Sequence, residues 1–289
     1  MKFTKMHGLG NDYVYVDCFA QSLEGVDLPE LARRVSRPHF GIGSDGLILI
    51  MRSEVANFRM RVFNNDGSEA KNCGNGLRCV SKYVYDHGLT DQTSFTVETL
   101  GGIVTPVVEL GDDGKVNRVT IDMGEPRFDR EAIPMTGEPR SRVVGEPITV
   151  DGRTFALTAV SMGNPHAVLM LDEVKDEDVL HFGPLIEWHE WFPERANVEF
   201  IQVLNRREIL FRVWERGSGV TLACGTGACA AAVAAILSGK TERKVTVHLL
   251  GGDLEIEWRE SDNHVYMTGP AAEVFSGVYL EELPYATAP

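Results

Sequence analysis

The chain has 289 residues, of which 43% are hydrophobic and 24% are charged. This balance is typical of a globular protein, and it excludes a disordered, collagen-like or coiled-coil chain. The 42 acidic residues outnumber the 28 basic ones, and the net charge of −14 argues against binding to nucleic acid or to an anionic membrane surface.

Apolar residues alternate with polar ones in three segments of each half of the chain, which predicts strands. A helix over about residues 76–86 follows the first set, and a helix over about 227–237 follows the second. Because the second helix is apolar on every side, we expect strands to surround it. Residues 122–152 predict a linker and then a strand at about 143–150. The other predicted strands are 12–17, 47–51, 58–63, 167–171, 198–204 and 209–214.

The chain is also expected to have no signal peptide and no membrane span. The first twelve residues lack an apolar stretch, and the longest apolar run, residues 228–237, is shorter than the about 20 residues that cross a bilayer. The five cysteines are odd in number and form no Cys-x-x-Cys pair, which argues against a disulfide framework and a structural zinc site. We therefore expect a reducing, cytoplasmic location.

The chain contains one internal repeat. Cys73 and Cys224 each begin a Cys-Gly-x-Gly segment, and the two are 151 residues apart. Two copies are too few for a solenoid, which needs about three or more repeats, so the repeat predicts two pseudo-symmetric α/β domains. Further matches occur in the same order: Arg61-Val62-Phe63 with Arg212-Val213-Trp214, Gly10-Asn11 with Gly163-Asn164, and Leu100-Gly101-Gly102 with Leu250-Gly251-Gly252.

The position of Cys73 and Cys224 just before predicted helices suggests their chemistry. Free N–H groups and the helix dipole favour negative charge there, so we expect the pKa of both thiols to fall below the usual value of about 8.5. If the two copies face one another, one thiolate can remove a proton from a carbon while the other thiol returns one to the opposite face. The helix N-termini would stabilise the charge that develops. We interpret Cys18, Cys79 and Cys229 as packing residues.

No cofactor is predicted. The sequence contains no phosphate-binding P-loop, and its Gly-x-Gly fragments do not complete a dinucleotide-binding motif. No lysine stands in a context that favours a pyridoxal phosphate imine.

Five longer motifs are spread over nearly the whole chain. They are residues 3–13 (Phe-Thr-Lys-Met-His-Gly-Leu-Gly-Asn-Asp-Tyr), Asn64-Asn65-Asp66-Gly67-Ser68-Glu69 running to Cys73-Gly74-Asn75-Gly76, Gly163-Asn164-Pro165-His166, Ala196-Asn197-Val198-Glu199-Phe200, and Trp214-Glu215-Arg216-Gly217 running to Ala223-Cys224-Gly225-Thr226-Gly227. As a set, and in this order, they closely resemble the diaminopimelate epimerase family.

The resemblance implies a cofactor-independent and metal-independent isomerase. It would interconvert LL-2,6-diaminopimelate and meso-2,6-diaminopimelate, for lysine and peptidoglycan precursor biosynthesis. The implied fold is α/β (α+β), with two similar domains whose strands wrap around a central helix and a site in the cleft between them. The first domain would span 1–120 plus about 275–289, with a returning strand at about 275–280, and the second 121–274. A homodimer is expected.

The resemblance also implies roles for single residues. Cys73 and Cys224 would be the acid/base pair, and His166 and Glu215 would tune or orient the catalytic centre. The other implied residues bind substrate, the first four through N–H groups on the reacting carboxylate: Gly74, Asn75, Gly225, Thr226, Asn11, Asn64, Asn164, Asn197, Arg216 and also Glu215. Gly46 is a departure, because some members of the family have glutamine there.

Several other functions also fit parts of the sequence. A proline or hydroxyproline racemase has its first cysteine in a Met-Cys-Gly-His context, unlike Asn72-Cys73-Gly74-Asn75. Relatives of the same fold that lack the thiols are disfavoured by the presence of both cysteines. A cysteine hydrolase using His166 leaves the second Cys-Gly-x-Gly segment unexplained, and a non-catalytic binding protein would not exchange the α-proton. An epimerase for another amino acid, such as histidine, would differ only in the distal contacts.

Overall fold

The structure is a computed structural model that describes residues 1–285. It divides into two compact units, one formed by residues 1–121 with 269–285 and the other by Asp122–Thr268. Whether the domains end at the predicted positions stays a prediction, and residues 286–289 of the predicted first domain lie outside the described residues. Within the described range, no helix has the length and apolar character needed to cross a membrane.

The first unit contains one sheet with a helix on each face and, outside that sheet, a hairpin. With the strands numbered in chain order and their ranges given below, the sheet has the order β19-β1-β2-β3-β4-β6-β7, with β5 beside β4. Strands β8 and β9 form the hairpin. The elements are β1 Lys2–Gly8, β2 Asn11–Asp17, α1 Leu28–Ser36, β3 Gly46–Met51, β4 Phe58–Asn64, β5 Glu69–Ala70, α2 Gly74–Asp86, β6 Val97–Thr99, β7 Gly102–Val104, β8 Val107–Leu110, β9 Val116–Asp122 and, near the C-terminus, β19 Ala272–Val278.

The second unit has the same arrangement. Its strands follow the order β10-β11-β12-β13-β14-β16-β17-β18, with β15 beside β14. The elements are a 3-10 turn Arg130–Ala132, β10 Glu146–Val150, β11 Arg153–Ser161, β12 Pro165–Met170, α3 Asp176–Glu187, β13 Asn197–Asn205, β14 Glu208–Glu215, β15 Gly219–Val220, α4 Gly225–Leu237, β16 Lys244–Leu249, β17 Gly252–Trp258 and β18 Val265–Gly269.

Strand pairing shows that the sequence repeat is a structural repeat. β2 and β3 are parallel, as are β12 and β13, and the strand that follows is antiparallel in both units. A short strand and then a helix of 13 residues come next in each unit. The predicted fold class, a mixed α/β protein with two similar sheet-rich domains, is confirmed.

The third strand of the repeat is covered on both faces. In β3, Leu47 and Leu49 pack against Leu31 and Val35 of α1, so Ile48 points to the opposite face, on which α2 lies. In β13, Val198 and Phe200 pack in the same way with side chains of α3. Residue 199 therefore points towards α4, whose contacts include β13. This alternation decides which residue lies beside each cysteine.

Helix α4 is the central helix of the second unit, as predicted. It contacts β11, β12, β13, β14, β16 and β17, and every residue from Gly227 to Ala235 is buried. Six of those nine residues are alanine, and small side chains allow the strands to approach the helix closely. The helix is apolar on all sides because strands surround it.

The structure differs from the sequence predictions at several boundaries. Helices α2 and α4 begin at Gly74 and Gly225, two residues earlier than predicted, because the preceding cysteine caps each helix. The strand predicted at 143–150 begins at Glu146, and the one predicted at 275–280 is Ala272–Val278.

Two helices were not predicted. Helix α1 carries a clear start signal, since Asp27 accepts a hydrogen bond from the Glu30 N–H and proline occupies the first turn. Helix α3 contains Gly183 and Pro184, which normally interrupt a helix. Pro184 lies in its last turn, so the helix loses the one hydrogen bond that an N–H at this position would donate to the Leu180 carbonyl, and it ends three residues later.

Candidate active site

The Cys73 thiol forms the N-cap of α2. Its backbone is extended, and its Sγ accepts a hydrogen bond from the Gly76 N–H at 3.3 Å. A Cβ at position 76 would lie 2.6 Å from Ile48 Cδ1 and 3.4 Å from the sulfur. Only glycine therefore lets the first turn of the helix come this close to both the thiol and β3.

Amide side chains surround the first thiol. Asn11 Oδ1 accepts a hydrogen bond from Asn75 Nδ2 at 3.1 Å and lies 3.9 Å from Cys73 Sγ. Asp45 orients Asn11, since its Oδ2 accepts from Asn11 Nδ2 at 2.7 Å and from the Asp12 N–H at 3.0 Å. The structure thus brings three of the predicted site residues, Asn11, Asn75 and Cys73, together.

Burial raises the pKa of the Cys73 thiol, which contradicts the expectation of a lowered value. The Gly76 N–H, the Tyr13 side chain and the charge of Arg78 all favour the thiolate, but desolvation outweighs them. Arg78 is fully buried, and its Nη2 donates to Asn75 Oδ1 at 2.9 Å. The helix N-terminus alone was therefore an incomplete basis for predicting the ionisation of this thiol.

Cys224 forms the N-cap of α4 in the same way. Its Sγ accepts from the Gly227 N–H at 3.4 Å and lies 3.7 Å from Thr226 Oγ1. A Cβ at position 227 would lie 2.9 Å from Glu199 Oε1 and 3.0 Å from the sulfur. We call the surroundings of Cys73 the first half-site and those of Cys224 the second half-site. The second repeats the backbone of the first, with the Glu199 carboxylate where the first has Ile48.

A chain of hydrogen bonds connects this carboxylate to the second thiol. His166 is fully buried, with Nδ1 at 2.6 Å from Glu199 Oε1 and Nε2 at 3.0 Å from Asn164 Oδ1. Asn164 Nδ2 donates to Thr226 Oγ1 at 3.3 Å, and that hydroxyl lies next to Cys224. Three predicted residues, His166, Asn164 and Thr226, therefore form one network with a residue that was not predicted.

The second thiol lies near two carboxylates. Burial, followed by the charges of Glu215 and Glu199, raises the pKa of Cys224 well above its ordinary value. Burial also raises the pKa of both Glu215 and Glu199. The Thr221 hydroxyl donates a hydrogen bond to Glu215 Oε1. The expected lowering of the thiol pKa is wrong here as well, and the cause is again desolvation.

The remaining predicted residues have mostly local contacts. Asn197 is buried, donates to the Pro165 carbonyl at 2.9 Å and accepts from the Arg216 N–H at 3.0 Å. Arg216 is exposed and donates through Nη1 to the Glu194 carbonyl at 3.1 Å. Asn64 donates to Ser68 Oγ at 3.0 Å. Gly74 and Gly225 are the first residues of their helices. The described residues contain no group of three or more His, Cys, Asp or Glu side chains that could hold a metal ion.

Comparisons with known proteins identify the family. The sequence profile of diaminopimelate epimerase matches residues 3–128 and 158–274. A diaminopimelate epimerase of Geobacillus thermodenitrificans is 58% identical over 96% of both chains, and one of Moorella thermoacetica is 58% identical over 96% of this chain and 98% of its own. The chain belongs to the diaminopimelate epimerase family. The resemblance seen in the sequence is confirmed, and membership of this family makes the protein an isomerase.

A solved structure shows the same fold at much lower identity. A phenazine biosynthesis protein of the PhzF family from Bacillus anthracis superposes with a TM-score of 0.68 at 18% identity, covering 97% of this chain and 99% of its own. At this identity the match supports the architecture of the epimerase fold and nothing about the reaction.

Sequence reasoning missed several residues that shape the two half-sites. Glu199 stood inside a quoted motif, and its signal was a carboxylate within a strand that is otherwise apolar, next to Val198 and Phe200. Asp45 and Arg78 gave weaker signals, because a charged residue beside a glycine-rich loop or in a helix is common on protein surfaces. Only the structure shows that Arg78 is buried.

Gly46, where some members of the epimerase family have glutamine, lies close to neighbouring atoms. A Cβ at position 46 would overlap the Phe63 carbonyl oxygen and lie 2.8 Å from Tyr13 Cε1. The Tyr13 ring fills the space that a side chain at position 46 would need. Any substrate contact that relatives make with a glutamine here is therefore absent in this chain.

We predict that Gly46→Ala destabilises the first unit by about 1–3 kcal/mol, because the backbone of β4 must shift to accept the new methyl group. Urea unfolding followed by circular dichroism measures the change. Gly111→Ala is the control, since the one atom closer to its Cβ than ordinary van der Waals contact would be Asp113 Oδ1, at 3.2 Å, which is the end of a flexible side chain. Equal stability of the two variants would contradict this account of Gly46.

Proposed function

We propose that this protein epimerises LL-2,6-diaminopimelate to meso-2,6-diaminopimelate without a cofactor, using Cys73 and Cys224 as a two-base pair. One observation carries the proposal: each copy of a duplicated unit presents a cysteine sulfur at the N-terminus of its central helix. Relatives at 58% identity that are named diaminopimelate epimerase support the choice of substrate.

The reaction needs one thiolate and one thiol. The thiolate removes the proton from the α-carbon and becomes a thiol, and the second thiol gives its proton to the other face of that carbon and becomes a thiolate. The N–H groups of Gly74, Asn75, Gly225 and Thr226 hold the adjacent carboxylate and stabilise the negative charge that develops. For the reverse reaction the two sulfurs exchange roles.

The raised pKa of both thiols is compatible with this chemistry. An α-proton of an amino acid is weakly acidic, so its removal needs a strong base. Burial makes a thiolate a stronger base by removing the water that would stabilise its charge, although it also reduces the ionised fraction. We propose that binding of the zwitterionic substrate, with its ammonium group, offsets part of that cost.

The distal end of the substrate carries a second carboxylate and a second ammonium group. We assign its recognition to Asn11, Asn64, Asn164, Asn197, Glu215 and Arg216. The exposed Arg216 guanidinium suits a carboxylate, and the amide oxygens and the Glu215 carboxylate suit an ammonium. Asn197 accepts a hydrogen bond from the Arg216 N–H and donates one to the Pro165 carbonyl, so we assign it the role of orienting the backbone at Arg216. His166 and Glu215 orient and tune the centre around Cys224.

This activity places the protein in lysine and peptidoglycan precursor biosynthesis. Two thiols that must stay reduced require a reducing compartment, and we propose the cytoplasm.

We also propose a homodimer. Strand β19 is the edge of the first sheet, and several of its apolar side chains face solvent, among them Val274 (56% exposed) and Val278 (57%). An apolar edge strand pairs readily with another chain, and a second copy in two-fold symmetry would cover both edges at once.

The proposed reaction is tested with LL-diaminopimelate in D2O, with reductant and without pyridoxal phosphate. NMR for α-deuterium and chiral separation of the products measure the result. We expect deuterium at the α-carbon together with meso product. A folded, reduced protein that forms neither would overturn the substrate assignment, and the same assay on other amino acids would then test the two-thiol mechanism.

Single cysteine variants test the roles of the two thiols. We expect Cys73→Ala and Cys224→Ala each to abolish formation of meso product, because one acid/base group reaches only one face of the α-carbon. The matched controls are Cys79→Ala and Cys229→Ala, which alter fully buried thiols within the same two helices. They should keep turnover and lose about 1 kcal/mol of stability, the usual cost of a point substitution. Loss of turnover in a folded control would show that the roles are wrongly assigned.

A charge on β19 tests the dimer. We expect Val278→Lys to shift the protein from dimer to monomer in sedimentation velocity, because the buried charge would lack a partner. Leu204→Lys, at an exposed position in β13 of the second unit (48% exposed), should leave the sedimentation coefficient unchanged. A monomeric wild-type protein would end the proposal.

A further inference from the structure

The two half-sites share one backbone arrangement but differ in the side chains next to the sulfur. Gly76 and Gly227 occupy equivalent positions, three residues after Cys73 and Cys224. The nearest neighbour of the first glycine is Ile48, and that of the second is Glu199. Ile48 and Glu199 are 151 residues apart in the sequence, the same separation as between Cys73 and Cys224. The same position in the fold therefore holds an apolar side chain beside one thiol and a carboxylate beside the other.

A second matched pair shows the same contrast. His166 follows Asn164 by two residues on β12, as Tyr13 follows Asn11 by two residues on β2. The Tyr13 side chain favours the ionised form of Cys73, whereas His166 Nδ1 lies 2.6 Å from Glu199 Oε1. The surroundings of Cys73 thus contain the cation Arg78 and a neutral phenol, and those of Cys224 contain a buried acid and histidine.

Glu199 is an unusual residue to find in this position. Its side chain is fully buried, and Oε1 is 2.6 Å from His166 Nδ1. Within residues 1–285, its other oxygen, Oε2, has no hydrogen-bond partner. Leaving a buried carboxylate oxygen without a partner is costly, so a purely structural role would be served better by an apolar residue, as Ile48 shows in the first unit.

The carboxylate is close enough to the thiol to affect its ionisation. Glu199 Oε1 and Cys224 Sγ both lie within 3.0 Å of one point, the Cβ position built on Gly227. Groups no more than about 6 Å apart in a dry pocket influence one another's ionisation strongly. The Glu215 side chain on β14 also faces the thiol, and α4 itself carries only Cys229 as a titratable side chain. Two carboxyl groups, Glu215 and Glu199, therefore act on the Cys224 thiol, and Glu199 is paired with His166.

We propose that Glu199 is a positioning residue that, paired with His166, keeps Cys224 protonated while Cys73 is ionised. Glu199 lies beside Cys224 together with Glu215, so a thiolate at Cys224 would add a further negative charge to a pocket that already holds two carboxyl groups. In the first half-site Ile48 adds no charge, and Arg78 favours a thiolate at Cys73. The duplicated fold thereby starts each catalytic cycle with one base and one acid. This inference rests on the proposed function, since it assumes that both thiols take part.

The test is alkylation of the substrate-free, reduced protein by iodoacetamide as a function of pH, with each cysteine quantified by peptide mass spectrometry. Only thiolates react, so the pH at which the rate rises reports the ionisation of each thiol. In the wild-type protein we expect Cys73 to react at lower pH than Cys224. In Glu199→Gln we expect Cys224 to react about tenfold faster at neutral pH, the change that one pKa unit produces.

Internal and matched controls separate this effect from a change in structure. The rate at Cys73 should be the same in Glu199→Gln as in the wild type, and Ile48→Val, at the matched position, should leave the Cys224 profile unchanged. Glutamine has the shape of glutamate and can still bond to His166, so circular dichroism and thermal unfolding should show a folded variant. Glu199→Ile, which copies the first half-site, should accelerate Cys224 in the same direction.

Two outcomes would overturn the inference. One is an unchanged or slower reaction of Cys224 in folded Glu199→Gln, and the other is an equal acceleration at both cysteines. Neither outcome affects the deuterium-exchange assay, in which the wild-type protein tests the proposed function by itself. If the wild-type protein failed the deuterium-exchange assay while Glu199→Gln still accelerated alkylation of Cys224, the proposed reaction would be rejected. The effect of Glu199 on the ionisation of Cys224 would still stand.

Discussion

The hydrogen bond from a glycine N–H to a cysteine sulfur, at the start of each central helix, is the interaction on which both half-sites depend. It replaces the oxygen of a usual N-cap residue with a thiol, and so fixes the sulfur at the helix terminus. It also requires glycine three residues later, because a methyl group there would collide with Ile48 of β3 in the first unit and would crowd both Glu199 of β13 and the sulfur in the second. Helix start, thiol position and strand packing are therefore set together.

This shared constraint leaves few positions at which the two copies can differ. The third strand is buried on both faces, one against α1 or α3 and the other against the central helix. Within this strand, only the residue that faces the helix at the level of the sulfur can change the thiol's surroundings without repacking the opposite face. Ile48 and Glu199 occupy that position, and the chemical difference between the half-sites is concentrated there and at the matched pair Tyr13 and His166.

Much of the fold and the core of the site could be predicted from the sequence, for reasons that particular residues make clear. The repeated Cys-Gly-x-Gly segments located both caps, and the apolar stretch after Gly227 identified a helix surrounded by strands. Helix α3 was not predicted because Gly183 and Pro184 are unfavourable within a helix. Its stability comes from packing of side chains such as Val179 and Phe182 in the core. The shift of the thiol pKa values was predicted in the wrong direction. A helix N-terminus can be located from the sequence, whereas the extent to which a thiol is buried cannot.

Glu199 shows the same limit at the level of the site. Its motif was recognised, but a glutamate in a strand is ordinarily a solvent-facing residue. Only the helices on both faces of β13 make that position an interior one, and one of those two helices was not predicted.

The return of β19 to the first sheet has a consequence for synthesis on the ribosome. Strand β1 is made before every other strand of its sheet, yet its partner at the sheet edge, β19, begins only at Ala272, 150 residues after β9 ends at Asp122. At roughly 5–20 residues per second, the whole second unit is translated over some 8–30 s before that edge can be closed. During this interval the nascent first unit carries an open strand edge. The order of the chain thus makes completion of the earlier unit wait for the later one.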